Sequence, residues 1–131
     1  MAGLAAGAPD KDVVLANLET VLAWDLNGSP LPRVSEALAV IEQFTSYGRI
    51  VAADLHARCL DVPADSDAAR TAQAVLGEAS RRFNLSPPYY GTARAVGQRA
   101  QNAARLVQAL LRAVDRIGEA QAHSADNNST S

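Results

Sequence analysis

Four stretches of the chain repeat apolar residues at intervals of three and four, and turn-forming residues bound each of them. The first follows Asp10, a ready N-cap, and reads KDVVLANLETVLAWDL, with Val14, Leu18, Val21, Leu22 and Asp25 on one face. NGSP ends it, with Gly28 in place for a left-handed C′ residue. Pro32 suits the first position of a second helix. That helix, over 33–59, carries Val34, Leu38, Ile41, Thr45, Gly48, Ala52, Leu55 and Cys59, broadened by Phe44, Ile50 and Val51. A helix of about 27 residues is about 40 Å long. An interior glycine costs up to about 1 kcal/mol against alanine. Gly48 in the stripe therefore predicts that a neighbouring helix or a ligand comes close to its backbone.

DVPADSD reads as a loop that starts a third helix at Asp65 or Ser66. Its inward residues are Ala72, Val75, Leu76, Ala79 and Phe83. Pro87 and Pro88 stop it, and Gly91–Thr92 launches a fourth helix with Thr92 as N-cap. Val96, Ala100, Ala103, Val107, Leu110, Val114 and Ile117 form the fourth stripe, widened by Leu106 and Leu111. No run reads as a strand. Helices over 10–26, 33–59, 66–83 and 92–119 with short connections predict an all-α, antiparallel four-helix bundle. One domain over 10–119 is expected, with residues 1–9 and 120–131 disordered.

Composition narrows the chemistry. Hydrophobic residues make up 48% of the 131 and aromatics only 5%, so the core must be built from Ala, Val and Leu with helices packed closely. The net charge is −2, and Arg94, Arg99, Arg105, Arg112 and Arg116 point several ways around the fourth helix. A solvated surface accounts for them, and no nucleic-acid partner is expected. No stretch approaches the roughly 20 apolar residues that span a bilayer, so no membrane partner is expected. MAGLAAGAPD has neither the basic nor the apolar segment of a secretory leader, and Cys59 is the single cysteine. A reduced, cytoplasmic setting is the expectation.

The segments EQFTSYGRIVAADLHARC, AQAVLGEASRRFNL and AVGQRAQNAARLVQALLRAVDRI, with an acidic loop after the first, resemble a family of small helical proteins. Those proteins are associated with actinomycete natural-product biosynthesis gene clusters. The resemblance runs from about residue 31 to 117. It implies a role in specialised metabolism and supplies no catalytic residues.

Candidate site residues follow from placement. Glu42, Arg49 and His56 recur every seven residues along one flank of the second helix. Such a flank is normally a solvated, salt-bridged ridge. As a site, it would edge a groove, with Arg49 and His56 holding an anionic or carbonyl group and His56 exchanging protons. Asp25 in the last turn of the first helix opposes the helix dipole and calls for a cation, for which Arg99 is the best placed. The pair is either structural or a polar spot in an apolar cavity. Trp24, Tyr89 and Tyr90 either cap the bundle or form an aromatic rim at one end.

No nucleophile–base order, phosphate loop or metal-ligand spacing is present, so neither a metal nor another cofactor is expected. Whether the chain is an enzyme stays open. Two readings remain. In the first, the bundle binds an apolar biosynthetic intermediate and assists its cyclisation or isomerisation. In the second, it is a non-catalytic module that docks on a biosynthetic or regulatory partner protein. A homodimer is compatible with either.

Overall fold

The computed structural model describes residues 10–83 and 91–129, with side chains as far as Ala122. Helices α1 (Lys11–Leu22), α2 (Val34–Cys59), α3 (Asp67–Phe83) and α4 (Ala93–Ser129) make up the fold, and the described residues contain no strand. It is an all-α helical bundle. Three helices begin at side-chain caps. Asp10 accepts from the Asp12 amide at 2.9 Å, Ser66 Oγ from the Ala69 amide at 3.2 Å, and Thr92 Oγ1 from the Ala95 amide at 3.0 Å. Each oxygen satisfies an amide that has no intrahelical partner.

Consecutive helices run in opposite directions, so α2 and α4 run the same way, and these two share the largest interface. Gln121 near the end of α4 reaches Asp61 just beyond α2 at 3.2 Å, which fixes their common direction. Phe44, Leu55, Val96, Val107, Leu110 and Ile117 are fully buried in this core. The alanine-rich pattern shows its effect here: Ala37, Ala100 and Ala104 are also fully buried, so the two backbones approach closely.

The flanking helices are shorter and lie on different sides of this pair. Asn17 of α1 donates to Gln43 of α2 at 2.8 Å. Gln43 stands about 140° around α2 from the row of Leu38, Thr45 and Arg49, which faces the side where α3 packs. Among the described residues α1 and α3 make no close backbone approach.

Phe83, the last residue of α3, lies directly on Gly48. A Cβ on Gly48 would stand 2.8 Å from Phe83 Cε2 and closer still to Cζ. The next residue, Arg49, donates to the Phe83 carbonyl at 2.8 Å, so it caps the C-terminus of α3. The close approach expected at Gly48 is therefore a helix end. Gly97 is a second such contact: its absent Cβ would meet Leu26 Cδ2 at 2.8 Å.

Several boundaries differ from the sequence expectation. α1 ends at Leu22, with Ala23 as C-cap, instead of continuing to residue 26. The Gly28 amide bonds to the Asp25 carbonyl at 3.2 Å, and the Asp25 carboxylate accepts from the Asn27 amide at 3.0 Å. DLNG is thus a turn, with Asp first and Gly fourth as turn geometry favours. No described residue has positive φ, so Gly28 is not a left-handed cap. Pro32 precedes the N-cap Arg33. α4 continues to Ser129, ten residues past the expected end at 119. Pro87 and Pro88, expected to stop α3, lie outside the described residues.

Gln101, buried on α4, was not singled out by the apolar pattern. Its amide donates to the Val21 and Trp24 carbonyls at 3.1 and 3.0 Å, and Arg94 donates to the Leu26 carbonyl at 2.9 Å. These bonds fasten the end of α1 to α4.

Two predictions follow from these contacts. Gly48→Ala should lose about 1–3 kcal/mol by crowding Phe83, despite gaining about 1 kcal/mol in helix propensity. Urea unfolding of Gly48→Ala, Phe83→Leu and the double variant should show strong coupling, with Phe83→Leu costing less once Gly48 is replaced. Simple additivity would mean that the ring and the glycine do not bear on each other. Gln101→Met, similar in size, should cost about 1–3 kcal/mol because the Trp24 carbonyl loses its donor and the Val21 carbonyl keeps only the Trp24 amide. Thermal melts equal to the parent's would contradict that role.

Candidate functional site

α3 ends level with Gly48, fourteen residues after α2 begins. About 20 Å of the α2/α4 pair therefore runs on without α3 beside it. The resulting cleft has a volume of about 680 Å³. Leu38, Ile41 and Thr45 of α2 line it together with Ala103 and Leu106 of α4, and Phe83 forms one end. Polar groups around this apolar surface are Glu42, Ser46, Arg49, Arg82, Arg99 and Asn102.

The polar groups differ in how far they are satisfied. Arg49 is bonded to the Phe83 carbonyl, a neutral partner, and forms no ion pair among the described residues. Arg82 pairs with Glu78 at 2.6 Å, and Glu78 also pairs with Arg81 at 2.8 Å. Hydrogen bonds from Arg81 and then Arg82 hold the Glu78 carboxyl below the usual carboxylate range. Arg99 is half-buried and has no hydrogen bond or ion pair among the described residues. Asn102 accepts through Oδ1 from Gln98 at 3.2 Å and from Arg105 at 3.1 Å, which leaves its amide N–H groups available as donors.

A smaller depression of about 400 Å³ lies across Phe83, between α2 and α3. Arg49, Ala52, Ala53, His56, Leu76, Ala79 and Ser80 line it. Phe83 and Arg49 border both spaces, so they form the divide. The seven-residue ridge expected on α2 runs along both: Glu42 on the cleft, Arg49 at the divide and His56 on the smaller depression. Cys59 is buried at the end of α2, where burial pushes its thiol up from the ordinary value, and it lines neither space.

The expected Asp25–Arg99 pair is not formed. The ion pairs among the described residues are Arg58–Asp54, Arg81–Glu78 and Arg82–Glu78. Asp25 lies beyond the end of α1, is exposed, and serves the turn at Asn27. Helical geometry gives the reason. Gln101 faces α1 and holds Trp24 by its carbonyl, whereas Arg99, two residues earlier, points about 200° away. α4 thus stands between Asp25 and the cleft. Trp24 is half-buried against the core on the α1 side and lines neither space. Tyr89 and Tyr90 lie outside the described residues.

The candidate residues thus separate into two groups. Arg49, Arg99 and His56 border the α3-side spaces, while Trp24 and Asp25 belong to the α1 end. The cleft's apolar floor, Leu38, Ile41, Ala103 and Leu106, belongs to the sequence stripes, and these residues also pack in or against the core. No local signal in the sequence marks the cleft, because it arises from the level at which α3 stops beside α2. Among the described residues no group of three or more His, Cys, Asp or Glu could hold a metal ion.

No helix among the described residues is long and apolar enough to cross a membrane. Comparison with known proteins finds no matching protein-family model, no matching curated protein and no matching solved structure.

Proposed function

We propose that this chain binds a small, largely apolar molecule in the α2/α3/α4 cleft and serves specialised-metabolite biosynthesis by holding an intermediate there. The cleft carries this reading. Its volume of about 680 Å³ falls within the roughly 300–1,000 Å³ of small-molecule sites. Its floor of Leu38, Ile41, Phe83, Ala103 and Leu106 suits an apolar body, and the polar groups around it suit a polar end. The resemblance of residues 31–117 to proteins of natural-product gene clusters supports the biosynthetic setting. Assistance to a cyclisation or isomerisation would come from positioning the chain of the intermediate. Arg49 and Arg99 would add donors for negative charge developing on a bound oxygen.

The second reading is a docking module for a biosynthetic partner. The observation favouring it is that Val13, Leu15, Ile50 and Leu60 are large, apolar and exposed. Scattered exposed apolar residues are common on monomers, so the cleft is the stronger observation.

A neutral fluorescent probe tests the cleft without appeal to charge. N-phenyl-1-naphthylamine, which brightens in apolar surroundings, should bind saturably at one site. Ala103→Phe, which fills the cleft, should weaken binding at least about tenfold, or about 1.4 kcal/mol, with an unchanged melting temperature. Product formation in the biosynthetic pathway should fall with the same variant. Parent-like probe affinity in Ala103→Phe would rule out the cleft as the binding site.

A further inference from the structure

We infer that the ligand of this cleft carries a single carboxylate on its apolar body and that Arg99 anchors it. The inference rests on the cleft being the ligand site and adds the chemical class of what enters it.

The first argument is the balance of donors and acceptors. Arg49, Arg99 and the amide of Asn102 present donors around the cleft, and among the described residues Glu42 is the one acidic side chain lining it. Thr45 and Ser46 can act either way. A ligand rich in acceptors matches this set, whereas an amine or a polyol meets too few acceptors.

The second argument is Arg99 itself. Arg99 is half-buried as a residue and borders the cleft, and a guanidinium beside an apolar surface gains from a charge-assisted pair with an anion. Arg99 has no partner among the described residues. The Asp25 that could have paired with it lies on the other side of α4, at the α1 end. Its charge is therefore available to a ligand. The neighbouring Leu106 and Ala103 supply apolar surface next to it on the same helix.

The third argument is the number of guanidinium groups left free. Arg82 is engaged by Glu78, and Arg49 by the Phe83 carbonyl. Arg99 is the one lining guanidinium with no partner among the described residues. One free guanidinium matches the two oxygens and single charge of a carboxylate, while a phosphate monoester brings a third oxygen and up to two negative charges at neutral pH. Carboxylate is also planar and accepts two parallel N–H bonds from one guanidinium.

The test displaces N-phenyl-1-naphthylamine with three compounds of equal chain length: decanoate, decanol and decyl phosphate. On the parent protein decanoate should displace the probe at a concentration about tenfold below decanol, a difference of about 1.4 kcal/mol. Decyl phosphate should be weaker than decanoate. Arg99→Met should remove the decanoate advantage and leave decanol unchanged, and Arg99→Lys should restore part of it. Equal displacement by decanoate and decanol on the parent overturns the proposal without any variant, and the probe site then still stands. A full decanoate advantage in Arg99→Met overturns Arg99 as anchor. Tighter binding of decyl phosphate overturns the carboxylate class. Failure of the neutral probe to bind, by contrast, removes the cleft itself as a site.

Discussion

The contact of Phe83 with Gly48, closed by the Arg49 bond to the Phe83 carbonyl, is the constraint on which the rest of the structure depends. A ring can lie this close to a helix backbone only where no Cβ stands in the way. The adjacent arginine then satisfies a carbonyl that the end of α3 would otherwise leave without an intrahelical donor. Two neighbouring residues of α2 therefore set the level at which α3 stops. Had α3 continued another four turns, its side chains would have filled the space now lined by Leu38, Ile41 and Leu106.

The cleft is thus a consequence of unequal helix lengths. α2 and α4 form a long parallel pair, and neither α1, with 12 residues, nor α3, with 17, can cover its whole length. They divide the task, one on each flank. On the flank of α1 the carbonyls at and just beyond its end are met by Gln101 and Arg94 of α4. On the flank of α3 the pair is left with apolar side chains and arginines in the same groove. Arg49 belongs to both the packing and the groove, which ties the shape of the cleft to the stability of the bundle.

Much of the architecture was legible in the sequence because helices announce themselves locally. Asp10, Ser66 and Thr92 cap their helices through bonds spanning two or three residues, which sequence spacing reveals directly. Gly48 was legible too, since an unexplained glycine in an apolar stripe implies a close neighbour. The end of α1 was not, because 23–26 continues the apolar pattern and only Gln101, 77 residues or more away in sequence, decides where its carbonyls turn. The Asp25–Arg99 pair failed for a related reason. The sequence pattern puts Asp25 on the apolar face of the first helix, but that helix ends at Leu22, and which way Arg99 faces depends on the rotation of α4 against α1.

The sequence by itself determined four helices, most of their starts and the residues available to the core, since periodicity and capping act within a few residues. Only the tertiary structure decided which apolar residues became core and which became cleft. Leu38 and Leu55 share one stripe, yet Leu55 is fully buried and Leu38 lines the groove. The difference lies in whether α3 reaches that level of the α2/α4 pair. Helical periodicity records which way a side chain points, and it holds no information about how far along the helix a neighbour extends to meet it.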